Sequence, residues 1–281
     1  NTNGELGQGD TVSRSLLTQI GNSSWSNVFA GRNNAYAINI NNKLFAWGLG
    51  TSGQLGYNDI VSRSSPVQIS TGNWSTLGAY GTTPNVLGIQ TDGSLWAWGS
   101  KTNLLLGEFS NASYTYSWSQ VSAGPSHTAA IRSDGRLYTW GYNANGQLGN
   151  GTTTNTSSPV LITVTAGTPT EYWNKVSVNG LRSIGITSDG NLYVWGSNAG
   201  YLLGDGTSTN RSAPTQITSV SGSFSSVSAG LSHTLAIDTT GKLYAWGSNS
   251  LNQIGDGTTV TTRSVPIQIG SSSYSQISSY G

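Results

Sequence analysis

The sequence predicts an all-β protein, a β-propeller of six or seven blades, each blade a four-stranded antiparallel sheet. Three observations predict it. Trp-Gly recurs at Trp47-Gly48, Trp98-Gly99, Trp140-Gly141, Trp195-Gly196 and Trp246-Gly247, at intervals of 51, 42, 55 and 51 residues. Leu/Ile-Gly recurs at Leu6, Leu55, Leu106, Leu148, Leu203 and Ile254, each followed by glycine. An aromatic residue opens a short alternating segment at Trp25, Trp74, Trp118, Trp173, Phe224 and Tyr274. Three landmarks in one phase mark a repeat protein, and units of about fifty residues with this pattern suit propeller blades.

The elements of one repeat follow in order. Phe224 to Gly230 alternates apolar and small polar residues, the period of a half-buried strand. His233 to Ile237 is the second strand. Thr240-Gly241 turns the chain, as Asp92-Gly93, Asp134-Gly135 and Asp189-Gly190 do elsewhere; Asp-Gly between apolar runs predicts a two-residue hairpin loop, because the turn needs positive φ. Leu243 to Gly247 is the third strand, and a glycine-rich loop runs through Gln253-Ile254-Gly255-Asp256-Gly257-Thr258. Val265 to Ile269 is the fourth; its Pro266 cannot donate to a ladder and belongs at a sheet edge. Such a sheet cannot bury both faces alone, so copies stack about a common axis, with the Trp of Trp-Gly between neighbours. No helix is expected.

Composition agrees. The 281 residues include 38 Gly, 13 Tyr and 10 Trp, and only 8% are charged, against about 25% in typical soluble domains. With aromatics this frequent, low charge signals an aromatic core rather than disorder. The net charge is +1 and no Lys/Arg run occurs, which disfavours nucleic acid as a partner. No apolar run approaches the roughly 20 residues that span a bilayer, so no membrane insertion is expected. Cysteine is absent, which excludes disulfides and Cys-metal sites.

The motif Asn-x-x-Gly-Gln-Leu-Gly-x-Gly at Asn143 to Gly151, its variant at Asn249 to Gly257, the following Ser-x-Pro at Pro159 and Pro266, His-Thr at His127 and His233, and Leu-Tyr-x-Trp-Gly together resemble the regulator-of-chromosome-condensation repeat family. The resemblance covers essentially the whole chain as a single domain, 1–281, and implies a propeller, commonly of seven blades. Closely similar repeats occur in bacteria, archaea and their phages. Five Trp-Gly strands stand beside six Leu/Ile-Gly loops, with Asn3 to Gly9 inside a loop and Tyr274 to Gly281 an opening strand. The ring in this chain is therefore expected to be incomplete, lacking ~20 residues for six blades or roughly 70 for seven, as part of a longer polypeptide. Two repeats depart from the pattern: Glu108 to Tyr116 replaces the usual Gly-Thr and Ser-Pro segments after Gly107, and an insert occupies Ala166 to Thr170. Irregular loops of a repeat array usually sit on one face, often the binding face, and neutral drift of loops that tolerate length change accounts for them equally well.

Candidate site residues fall in three groups. Trp47, Trp98, Trp140, Trp195 and Trp246 are structural anchors. His127 and His233, the two histidines, share one repeat position, which makes them fold residues hydrogen-bonding within a blade rather than catalysts; no nucleophile or second ligand stands at a unique position. Arg14, Arg63, Arg211 and Arg263 share the position before the fourth strand, with Asp10, Asp205 and Asp256 a few residues earlier. Either they brace their own loops as surface ion pairs or they form a ring for an anionic partner. The Gly-Asp-Gly-Thr loops match neither a calcium nor a phosphate loop, and no catalytic residue, metal site or cofactor is expected.

The functional expectation is a non-enzymatic scaffold presenting loops to a protein or glycan. The polar, cysteine-free composition suits an extracellular protein, or a virion or cell-surface structural or adhesion component that is a subunit of a larger assembly. The resemblance also implies two alternatives: a secreted proteinaceous enzyme inhibitor, and a guanine-nucleotide exchange factor for a small GTPase. The second would need a charged face and a basic tail, which this sequence lacks.

Overall fold

The computed structural model describes residues 1–79, 85–100, 116–164 and 172–279. The first sheet holds β1 (Trp25–Ala30), β2 (Asn34–Asn39), β3 (Leu44–Gly48) and β4 (Arg63–Gln68), in that order. The second holds β5 (Trp74–Ala79), β6 (Asn85–Gln90) and β7 (Leu95–Gly99). The third is ordered β11-β10-β9-β8, from β8 (Trp118–Ala123), β9 (His127–Arg132), β10 (Leu137–Gly141) and β11 (Thr156–Ile162). The fourth runs β12 (Trp173–Asn179), β13 (Arg182–Thr187), β14 (Leu192–Gly196), β15 (Arg211–Gln216), and the fifth β16 (Phe224–Ala229), β17 (His233–Asp238), β18 (Leu243–Ser248), β19 (Thr262–Gln268). Every pairing with recorded register is antiparallel between chain neighbours. The elements gather into two compact units, one holding β1 to β8 and the other β9 to β19.

The sequence repeat thus becomes a sheet repeat, with four departures. The second sheet has three strands among the described residues, in the repeat where the Ser-Pro segment is missing from the sequence. Trp96 on β7 stands half in solvent, whereas Tyr193 and Tyr244 at the same position are buried. Tyr274 opens no strand among the described residues, because no second strand pairs with its segment. A three-residue 3-10 turn, Ala199–Tyr201, interrupts the expectation of no helix. The hairpin loops have three residues, not two: Gln90 N–H donates to Ser94 O, Gly93 N–H donates to Gln90 O, and Gly93 alone takes positive φ, at 84°. That is a type I turn closed by a glycine bulge. The Leu106-Gly107 landmark, residues 108–115 and the insert at 166–170 lie outside the described residues.

Apolar cores lie between successive sheets. In the first unit, Tyr36, Ile38, Leu44 and Leu55 pack with Trp74, Leu77 and Val86. In the second, Ala129, Ile131 and Leu137 meet Trp173, Val176 and Val178, and Ile184, Ile186 and Val194 meet Phe224, Ala236 and Trp246. The openers Trp173 and Phe224 also meet a ring of their own third strand edge-on, Trp173 on Trp195 and Phe224 on Tyr244, both at 5.6 Å between centroids. Sheet-to-sheet contact is fixed at the turn as well. Trp74, Trp173 and Phe224 donate their backbone N–H to Asn42, Gly135 and Gly190 of the preceding hairpin loop, at 2.8, 2.7 and 2.8 Å.

Candidate functional site

The glycine of Trp-Gly sits opposite the first residue of the second strand: Gly48 faces Asn34, Gly141 His127, Gly196 Arg182 and Gly247 His233. A Cβ on Gly48 would lie 2.6 Å from the Asn34 Cα, at φ +97. Only glycine fits both the backbone and the space. The indole of the neighbouring Trp then turns toward the loop of the preceding sheet. Trp47 donates from Nε1 to Glu5 O at 2.9 Å, Trp98 to Gln54 O at 2.8 Å and Trp246 to Leu202 O at 3.0 Å.

The Leu/Ile-Gly landmark supplies the other half of this contact. Gly7 packs on Trp47, Gly56 on Trp98, Gly149 on Trp195 and Gly204 on Trp246; a Cβ on Gly204 would come within 2.5 Å of the Trp246 ring. Two of the sequence landmarks therefore touch, one sheet apart. Trp47, Trp140, Trp195 and Trp246 are buried as anchors should be, while Trp98, in the three-stranded sheet, is half-buried. Trp195 lacks the indole bond of its equivalents, although Gln147 O, the matching carbonyl, accepts the Ser183 hydroxyl at 2.8 Å.

His127 departs from the expectation of bonding within one blade. His127 is wholly buried and its Nε2 lies 2.7 Å from Ser183 Oγ, on the second strand of the next sheet. Its Nδ1 is 3.2 Å from Ser126 Oγ, which donates to Gly180 O, also of that sheet. Burial pushes the imidazole pKa down to about 3, so it is neutral. A first residue of the second strand reaches sideways, across the sheet seam, rather than along its own ladder. His233 is half-buried, with its pKa lowered by burial and then by Arg182. Sequence reading missed Arg182, which holds the histidine position of the fourth sheet. It is buried and spans the same seam, donating to Gly230 O at 2.6 Å and His233 O at 2.9 Å. The signal was its phase: it aligns with His127 and His233.

The four arginines brace their own loops. Arg14 pairs with Asp10 at 2.6 Å, Arg63 with Asp59 and Arg211 with Asp205 at 2.7 Å each, and Arg263 with Asp256. Asp59 completes the set, although the sequence reading passed over it. Contact with Arg14 holds the Asp10 carboxyl below the usual carboxylate range; for Asp59 and Asp256 the backbone N–H of Val61 and Thr258 does most, with the arginine second. Asparagines stitch the loops of Arg211 and Arg263 and also the loop between β10 and β11, which has no such arginine. Asn198 accepts from Leu203 N–H at 2.9 Å and donates to Thr207 O at 2.8 Å; Asn143 and Asn249 do the same with Leu148 and Thr152, and with Ile254 and Thr258.

These braced loops carry exposed aliphatic side chains. In the first unit Val12, Ile60 and Val61 are 55–68% exposed, and in the second Leu251 is 84% and Val260 49% exposed. A mobile loop would bury such groups by collapsing on itself, but these backbones are pinned by charge-assisted bonds. No cluster of metal-ligating side chains is found among the described residues, and none of their helices is long and apolar enough to cross a membrane.

The RCC1-like domain model matches residues 1–280. The ultraviolet-B receptor UVR8 of Arabidopsis thaliana is 33% identical over 150 residues, 53% of this chain and 33% of the receptor. Among solved structures, human WBSCR16 superposes with a TM-score of 0.75 at 20% identity, over 88% of this chain and 67% of that one. Prp20p of Saccharomyces cerevisiae gives 0.74 at 22% identity, over 88% and 63%. The chain thus spans about a third of the curated relative, and the structural likeness carries the β-propeller fold. With its Trp-Gly anchors, its Leu-Gly seats and the matching model across its length, this chain belongs to the RCC1-like domain family.

Proposed function

We propose that this chain is a non-enzymatic propeller scaffold whose arginine-braced loops bind a protein at an extracellular, cell or virion surface. One observation carries the reading: loops fixed by repeated Asp–Arg pairs and Asn stitches hold Val12, Ile60, Val61, Leu251 and Val260 in solvent. Rigid exposed aliphatics favour a protein over a glycan, since association then costs little loop ordering and removes apolar surface from water. The low charge, 8% of residues, suits a partner recognised by shape and apolar contact rather than by electrostatic steering. Prp20p binds Gsp1p and histones, and a related scaffold use of the fold supports a protein partner here.

The test is affinity capture on the immobilised chain from surface and secreted fractions of its source, with mass spectrometry. Binding that is saturable and falls at least tenfold in an Ile60→Ser/Val61→Ser variant or in Leu251→Ser supports the proposal. Capture of a small GTPase whose nucleotide release the chain accelerates, or capture unaffected by both variants, refutes it.

A further inference from the structure

The second sheet ends on a strand edge, β7, with which no described residue pairs. In the first, fourth and fifth sheets the leucine that opens the third strand gives its carbonyl to an N–H at the end of the fourth: Leu44 O to Ile69 at 2.9 Å, Leu192 O to Ile217 at 2.9 Å and Leu243 O to Ile269 at 2.8 Å. Leu95 O, in the same phase on β7, has no such bond among the described residues. Ser94 O accepts Gln90 N–H at 3.0 Å, so residue 94 faces β6, and alternation turns the N–H and C=O of Leu95 and Ala97 outward. Ala97 is exposed, whereas Ala46, Thr139, Val194 and Ala245 at its position are wholly buried.

The shortening is written in the sequence. Ten residues, 108–117, join the Leu106-Gly107 landmark to Trp118. The same join takes 17 residues at 57–73, 19 at 205–223 and 18 at 256–273, and in each it holds a loop, a fourth strand of six or seven residues and a turn.

This edge is also built unlike the others. Every fourth strand described carries a proline, Pro66, Pro159, Pro214 or Pro266, and a bulge breaks its register with the third strand. Three of the four also carry an arginine, Arg63, Arg211 or Arg263. Proline, charge and bulge are the devices that keep an outer edge from pairing with another chain. β7 reads Leu-Trp-Ala-Trp-Gly, without proline or charge, and its register with β6 is unbroken. Such an edge fits a copy of itself. In antiparallel pairing across a two-fold axis, Ala97 meets Ala97 of the second copy and their outward N–H and C=O groups bond reciprocally. Leu95 then meets Gly99, and Trp96 stands opposite Trp98 as a cross-strand aromatic pair on each side of the axis. Trp96 is 52% exposed and Trp98 half-buried, so both have ring surface to give. The net charge, +1, sets little repulsion between copies.

We propose that β7 is a dimerisation edge, at which two copies of this chain join their three-stranded second sheets, antiparallel about Ala97, into one continuous sheet. The contact uses none of the loop aliphatics assigned to partner binding.

Sedimentation equilibrium over a concentration series should show a reversible monomer–dimer equilibrium with the dimer prominent by about 0.2 mM. Ala97→Lys sets two ammonium groups opposite each other at the axis and should weaken association at least about tenfold. The side chain at 97 stands in solvent, so the Tm and far-ultraviolet dichroism of the dilute chain should not change. A second measurement is independent of that variant. The protein has no cysteine, so Ala97→Cys reports the register: mild oxidation should link two chains at least about tenfold faster than it does for Ile40→Cys, a site 66% exposed on the β2–β3 hairpin. A chain still monomeric at about 0.2 mM, a dimer that Ala97→Lys leaves intact, or equal linkage of the two cysteine variants overturns the proposal. So does a monomeric chain that carries a strand of another protein on β7.

Discussion

Gly204 and Gly255 occupy the same place in successive repeats, and substituting each by alanine separates backbone strain from indole packing. Both sit in the left-handed region, at φ +72 and +75. Alanine there costs about 1–2 kcal/mol for the backbone alone. At Gly204 the new Cβ would stand 2.5 Å from Trp246 Cδ1 and 2.6 Å from Nε1, inside contact distance. The indole must move off Leu202 O, its acceptor at 3.0 Å, adding about 1–3 kcal/mol of overpacking and about 1 kcal/mol of lost hydrogen bond. Gly204→Ala should therefore cost about 3–6 kcal/mol and Gly255→Ala about 1–2 kcal/mol. The assay is urea unfolding of both variants beside the parent, followed by Trp emission and far-ultraviolet dichroism together, since coincident transitions license the comparison. Equal destabilisation would refute the reasoning, because strain alone would then account for both.

Other outcomes follow from the same contacts. Trp246→Ala should cost about 3–5 kcal/mol and Trp98→Ala distinctly less, since Trp98 is half-buried; equilibrium unfolding reads the order. His127 titrates near 3 when folded and near 6.5 when unfolded, so the unfolded chain binds more protons between those values. Stability should fall with decreasing pH from about 6.5, at up to about 1.4 kcal/mol per pH unit, and His127→Gln should flatten that slope in a pH series of unfolding curves. Arg14→Ala removes a pair with both partners partly in solvent and should shift stability by under about 1 kcal/mol, whereas Asn249→Ala strands buried backbone groups and should cost about 1–3 kcal/mol.

The repeat made the strands legible because its landmarks have local causes. Glycine at Gly48, Gly141, Gly196 and Gly247 answers a close cross-strand approach, and aromatic spacing answers a sheet-to-sheet core, so both recur wherever a sheet does. The loop arginines were legible for a similar reason: Arg14, Arg211 and Arg263 find acids four to seven residues away on the same chain segment. What escaped is set by neighbours distant in sequence. His127 meets Ser183 across 56 residues and Arg182 reaches Gly230 across 48, and no local pattern names such partners. The Tyr274 segment has the sequence of an opening strand and even its position, but a ladder needs a second strand as well. The exposed Ile60 and Leu251 were hidden because an aliphatic in a glycine-rich loop reads as ordinary until the loop proves pinned.

Indole N–H exchange, followed by NMR on the uniformly 15N-labelled chain, tests the seam most directly. The Trp47 and Trp246 signals, each bonded to a carbonyl of the preceding loop inside a buried contact, should exchange orders of magnitude more slowly than Trp96, whose Nε1 donates to Ser94 Oγ beside solvent. Exchange of Trp246 as fast as that of Trp96 would mean that the indoles do not lock one sheet to the next.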